Sequence, residues 1–140
     1  MNEAKHAIQV RRLEARDDRS GFRSGNIDLD RFFQRHAGQN QFRHHIGTTC
    51  VAVQGARITG FATVSSGEIA ADRLAPGLRR KLPAYPLPVL RLVRLAVDER
   101  FQGLGIGRLL LRTMLELALE LRDRTGCAGV VVDAKADSVA

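Results

Sequence analysis

Tryptophan is absent from this sequence of 140 residues, tyrosine occurs once, as Tyr85, and aromatic residues make up 5% of the chain. A fold with so little ring area must build its core from aliphatic side chains and a few phenylalanines. Cysteine is limited to Cys50 and Cys127, each in or beside an apolar run, and no Cys/His spacing suits a metal. Two buried structural thiols are expected, with no disulfide and no metal site. No apolar stretch approaches a membrane span, and the first residues, MNEAKHAIQVRR, lack the apolar core of a signal peptide. The expectation is a cytoplasmic protein with no membrane partner. Lysine is scarce as well, with only Lys5, Lys81 and Lys135.

Arginine takes its place: 19 of the 22 basic residues are arginine, and the net charge is +7. The guanidinium fork matches phosphate, so the totals admit a polyanionic partner, and they admit equally a solvated, arginine-rich surface. The length suits one domain over residues 1–140. The apolar share of 44% and charged share of 26% are ordinary for a globular chain.

Local patterning gives the elements. Ile8 to Leu13 alternates as a first strand, and Glu14 to Gly25 reads as loop. Ser24-Gly25-Asn26 offers cap chemistry to a helix whose apolar face would be Ile27, Leu29, Phe32, Phe33 and His36, with Asp28 and Asp30 in its first turn. Gln39 to Gly47, with His44 and His45, reads as a solvated loop. Thr48–Gln54 and Ile58–Ser65 form an antiparallel hairpin about Gly55-Ala56-Arg57. All four prolines lie in Pro76, Pro83, Pro86 and Pro88, a segment with only a short helical turn at Leu78–Leu82. From Arg73 to Val97 the chain carries Arg73, Arg79, Arg80, Lys81, Arg91 and Arg94 and no acid. Val89–Val97 is the best strand, and Arg91 and Arg94 share one of its faces if it is unbulged. After it comes a helix from Ile106 to about Leu121, with Leu110, Met114, Leu117 and Leu121 on one side and an Arg112–Glu116 pair. Apolar residues on more than one of its faces suggest a largely buried helix. It stops near Gly126, and Cys127–Asp133 is a short strand parallel to Val89–Val97.

Between strand and helix lies Gln102-Gly103-Leu104-Gly105-Ile106-Gly107-Arg108. Closely spaced glycines at a helix mouth let backbone N–H groups meet an anion, and the helix dipole adds to them. Arg108-Leu109 after Gly107 excludes the lysine and hydroxyl of a P-loop, and GxGxxG counted from Gly103 ends on Arg108 rather than glycine. The pattern that fits is QxxGxG, at Gln102, Gly105 and Gly107.

In LAVDERFQGLGIGRLLL this stretch resembles motif A of the GNAT N-acetyltransferases, and the order β-α-β-β-β-α-β matches theirs. The resemblance implies an α/β (α+β) GNAT fold, a mixed central sheet flanked by helices. It also implies that acetyl coenzyme A binds with its pyrophosphate on Gln102, Gly103, Leu104, Gly105, Ile106, Gly107 and Arg108. Its pantetheine arm would lie along the backbone of Leu95, Ala96 and Val97. Phe22-Arg23-Ser24-Gly25-Asn26, Leu29 to Phe33, Leu82 to Val89 and Arg94 to Val97 are similar to the GNAT toxins of type II toxin–antitoxin modules, with Val93 where that family often has glycine. That family acetylates the amino group of aminoacyl-tRNA, which stops translation, and its antitoxins are usually ribbon-helix-helix proteins. On this reading Arg79, Arg80, Lys81, Arg91 and Arg94 are the candidate tRNA contacts.

The family takes its catalytic proton from a tyrosine in a C-terminal motif, and residues 133–140 resemble the stretch leading into it. No catalytic residue is therefore assigned, and the expectation is a domain without the last helix and strands, which binds acetyl coenzyme A but transfers acetyl poorly. Its last strand would be an uncovered edge that a homodimer could pair. Two other readings stay open: a GNAT enzyme acting on a protein or small-molecule amine, and a non-catalytic GNAT-fold binding module.

Overall fold

The computed structural model describes residues 7–83 and 85–132, so the expectations for residues 133–140 lie outside the described residues. Five strands, β1 (Ile8–Arg12), β2 (Thr48–Gln54), β3 (Arg57–Ile69), β4 (Leu87–Val97) and β5 (Val130–Val132), form one sheet in the order β1-β2-β3-β4-β5. The first four are antiparallel neighbours, and β5 runs parallel to β4 along Leu90–Leu92. The sheet is therefore mixed, as expected. Helices α1 (Ile27–Arg35), α2 (Pro76–Arg79) and α3 (Ile106–Arg124), with a π-helical turn at Gln39–Arg43 and 3-10 turns at Ala71–Arg73 and Glu99–Phe101, connect them.

Side-chain alternation along the strands divides the core in two. Val51, Val53, Phe61 and Ala96 face α1 and pack with Phe22, Phe32 and Phe33. Cys50, Ala52, Ala62, Val64, Leu90 and Leu92 face the other way, onto Ile106, Leu110, Met114 and Ala118 of α3. The sparse phenylalanines are concentrated on the α1 side. Phe33 stacks on Phe61 with ring centroids 4.3 Å apart, and Phe22 meets Phe33 edge-on at 4.9 Å. Such ring pairs add about 0.5–1.5 kcal/mol each beyond the area they bury.

Gly60 sets how closely α3 approaches the sheet. A Cβ there would lie 3.0 Å from Ile106 Cγ2, 3.1 Å from Leu110 Cδ1 and 3.1 Å from the Ala96 carbonyl oxygen. Glycine in this strand marks the place where the helix presses on the backbone.

Several expectations need correction. Gln39–Arg43 is a π-helical turn rather than solvated loop, and its Gln41 is buried, donating to the O of Leu13, just past β1, and accepting from Thr49 N of β2. His44 and His45 after it are exposed. Strand β3 runs four residues past Ser65, and β4 begins at Leu87. Pro88, which has no N–H to give, is tolerated there because its backbone turns to the β5 side, where its carbonyl accepts from Ala128 N, so the ladder to β3 loses no donor. The short helix starts at Pro76, which supplies a preset φ at its first position. Ile27, 73% exposed, and His36, also exposed, lie off the buried face of α1. Helix α3 buries one face only, and Leu111, Leu115 and Leu119 are exposed. Cys50 is buried, whereas Cys127 is only half-buried. Strand β5 is shorter than Cys127–Asp133; within the described residues it covers Val130–Val132.

Candidate functional site

The residues after β4 turn on one carboxylate. Asp98 is 1% exposed and accepts from Arg23 N, Arg100 N and Arg100 Nε. Burial pushes its carboxyl up, but the Arg100 guanidinium and the two backbone N–H groups more than offset this and hold it below the usual carboxylate range. Asp98 N also donates to Thr59 O, and Glu99 N to Arg23 O. The turn is thereby tied both to β3 and to the segment leading into α1.

Gly103 and Gly105 then take φ of 81° and 84°, in the left-handed region where a side chain costs about 1–2 kcal/mol. A Cβ at either would meet nothing, so conformation is what selects glycine there. At Gly107 the case differs. It is helical, and a Cβ would touch Leu95 and Val97 at an ordinary 3.8 Å. Gly105 is the N-cap of α3 and provides no side-chain cap. The first-turn N–H groups of Ile106, Gly107 and Arg108 therefore have no intrahelical partner. Leu109 N, donating to Gly105 O, makes the first helical bond.

Beside this helix mouth, β4 leaves one edge open. Asp98 N bonds to β3, so by strand alternation Ala96 also points toward β3, while Leu95 and Val97 point away. On that side β5 pairs only with Leu90–Leu92 among the described residues. The backbone groups of Leu95 and Val97 thus face a cleft of about 550 Å³. Its lining includes Leu95, Ala96, Val97, Gln102, Gly103, Gly105, Ile106, Gly107 and Arg108, which the sequence had singled out together. Leu104 is the exception: it is 70% exposed and does not line the cleft.

Gln102 lines the cleft and also ties its walls together. Its amide nitrogen donates to Ser24 O at 3.0 Å and Val97 O at 3.1 Å, bracing the opposite wall. That wall, formed by Ser24, Asn26 and Leu29, was missed as part of the site, although its cap chemistry was visible. Asn26 Oδ1 accepts from Leu29 N, and Ser24 Oγ donates to Asp30 Oδ1 at 2.6 Å, so the loop and helix start are locked together. Phe101 completes the lining.

The basic candidates separate. Arg79, Arg80 and Lys81 are exposed, without ion-pair partners among the described residues, and none lines the cleft. Residues three apart on a regular strand point to opposite faces, so the expectation for Arg91 and Arg94 was inverted. Thr63 pairs with Arg94 but Val64 with Leu92, which leaves Val93 as a bulge. The bulge brings Arg94 to the face that Arg91 occupies, opposite Leu90 and Leu92. Arg91 lies across Gly67 and reaches the Glu68 carbonyl at 3.4 Å. Arg94 stacks its guanidinium 3.8 Å over the Phe32 ring, and burial pulls its pKa down. Tyr85 is 66% exposed and lies outside the cleft lining.

A cradle of unpaired N–H groups beside an open strand edge can hold an anion and an extended, amide-bearing arm at once. Known proteins resemble the chain in sequence and in fold. The profile of the acetyltransferase (GNAT) family matches residues 8–139. A "tRNA-acetylating toxin" of Mycobacterium tuberculosis is 38% identical over 130 residues, which is 91% of this chain and 75% of that protein. Among solved structures, AtaT complexed with acetyl-methionyl-tRNAfMet superposes with a TM-score of 0.83 at 22% identity, covering 91% of this chain and 78% of that one. A tyrosine-to-phenylalanine mutant of AtaT, bound to acetyl-CoA and the C-terminus of the antitoxin AtaR, gives 0.77 at 20% identity, covering 94% and 78%. At these identities the two structures speak for the fold.

Proposed function

Because the chain belongs to the acetyltransferase (GNAT) family, we propose that it is an acetyl-CoA-dependent N-acetyltransferase acting on the amino group of aminoacyl-tRNA, the toxin of a toxin–antitoxin pair. The observation that carries the enzyme class is the cleft between the open edge of β4 and the uncapped start of α3. The acceptor is suggested by the relative named for tRNA acetylation. The reading implies action in the cytoplasm, with a cognate antitoxin, of ribbon-helix-helix type, and a second copy of the chain as partners.

The residues present fit acetyl-CoA. Gly103, Gly105 and the first-turn N–H groups of α3, with Arg108 beside them, suit its pyrophosphate. The backbone of Leu95 and Val97 suits the amides of its pantetheine arm and the thioester carbonyl. Bound acetyl-CoA supplies the activated acetyl group. Gln102, by holding Val97 O and Ser24 O, fixes the strand edge and facing wall before anything binds. Leu29, Phe101 and Ile106 make the lining partly apolar. Arg79, Arg80 and Lys81 are exposed and have no ion-pair partner among the described residues, which suits diffuse phosphate contact.

The test is to incubate the protein with acetyl-CoA and a pool of charged tRNAs, then release and weigh the aminoacyl groups. An N-acetyl mass on the amino acid is expected. Acetylation of peptide or small amines with tRNA untouched would sink the tRNA reading. Acetyl-CoA binding without transfer to any amine would leave a binding module.

A further inference from the structure

We infer that Asn26 is a binding residue for acetyl-CoA, and that its side-chain N–H groups hold the pantetheine arm from the wall that faces Val97. This rests on the acetyltransferase reading and adds to it a cofactor contact outside the glycine motif and β4. Asn26 lines the cleft from the start of α1, between Ser24 and Leu29. It is half-buried, with extended backbone at φ −112° and ψ 113°.

The polar groups around Asn26 are satisfied with one exception. Ser24 N and Oγ both donate to Asp30, and Ser24 O accepts from Gln102 Nε2. Asn26 N donates to Ser24 Oγ, and Asn26 O accepts from Asp30 N. Asn26 Oδ1 accepts from Leu29 N at 3.0 Å. Because Leu29 N can only donate, the atom facing it is the oxygen, which fixes the flip of the amide and turns Nδ2 to the other side. That nitrogen, with its two hydrogens, has no partner among the described residues.

The gap in front of it is narrow. Gln102 Nε2 reaches both walls at once, donating to Ser24 O at 3.0 Å and Val97 O at 3.1 Å. An arm seated on Leu95 and Val97 is therefore within reach of the residue two places after Ser24. The two amides and the hydroxyl of that arm cannot all turn toward one strand edge, and polar groups taken out of water need partners. Beside the satisfied Ser24, the facing wall has Leu29 and Phe101, which present carbon. Asn26 supplies the missing donor.

The experiment is calorimetric titration of wild type, Asn26→Ser, Asn26→Asp and Asn26→Ala with acetyl-CoA and, separately, with ADP, which has the pyrophosphate and lacks the arm. Serine and aspartate keep an N-cap acceptor, so their melting temperatures should match wild type, whereas alanine should lower it. Affinity should follow a different order. Serine and alanine, which lose the donor, should weaken acetyl-CoA by about three- to tenfold, the scale of one neutral hydrogen bond. Aspartate sets acceptor oxygens against those of the arm and should weaken it further, by about tenfold or more. ADP should bind the serine variant as it binds wild type. Affinities that track the melting temperatures, an undiminished acetyl-CoA affinity in the serine and aspartate variants, or equal losses of ADP and acetyl-CoA in the serine variant overturn the assignment while the acetyltransferase reading stands. No binding of acetyl-CoA by the wild type takes both down.

Discussion

Gly105 and Gly107 stand two residues apart in one motif, yet glycine is there for different reasons. Gly105 is held at a positive φ, whereas Gly107 is helical with room for a methyl group. Gly105→Ala should lower stability by about 1–2 kcal/mol and weaken acetyl-CoA binding. Gly107→Ala should hold or raise stability by up to about 1 kcal/mol, because alanine is the better helix former. Thermal denaturation and calorimetric titration with acetyl-CoA distinguish the two, and equal losses in both would refute the assignment. Asp98 gives a second test at this scale. Its folded pKa is depressed, so its stabilisation is complete above the unfolded value and is lost as pH falls through the folded one. The melting temperature should therefore drop on acidification below about pH 4, the ordinary carboxylate range. Asp98→Asn should start lower and show a shallower drop over that window.

At the scale of elements, the cleft depends on where α3 sits, and Gly60 determines that. Its Cβ position is closed by the Ala96 carbonyl as well as by two α3 side chains, and backbone cannot rotate away as a side chain can. Gly60→Ala should cost about 1–3 kcal/mol, as overpacking does, and displace the helix mouth from β4. A loss of acetyl-CoA affinity larger than that of Gly107→Ala, in protein still folded by circular dichroism, is the expected result. Wild-type affinity would show that the mouth tolerates the displacement. The open edge of β4 is likewise a property of elements, since it exists because β5 pairs with Leu90–Leu92 and no further within the described residues.

For the whole molecule, the +7 charge is unevenly used. Arg11 and Arg100 are tied to Asp17 and Asp98, Arg94 is stacked on Phe32, and Arg91 lies along β3. Arg79, Arg80 and Lys81 remain exposed on and after α2. If they meet tRNA phosphates, binding should weaken steeply with salt. Replacing all three by alanine should then reduce the slope of log affinity against log salt by about 3, roughly one per contact. Filter binding across a salt series measures this, and an unchanged slope would move the RNA surface elsewhere on the protein. No helix among the described residues is long and apolar enough to cross a membrane.

The sequence by itself determined the element order, the hairpin about Gly55 and the glycine cradle. Each is written in local period or in residues that admit only certain backbone angles, such as Gly103 and Gly105. What only the tertiary structure decided comes from parts distant in the chain. The Ser24–Leu29 wall joins the site through Gln102, a contact across 78 positions that no spacing rule reveals. Gln41 became a buried bridge because Leu13, just past β1, and Thr49 of β2 offered it their backbone groups. The shared face of Arg91 and Arg94 followed from one extra residue on β4, which inverts the alternation beyond it. Local pattern specifies what each segment can be; side-chain partners and strand register exist only once the segments have met.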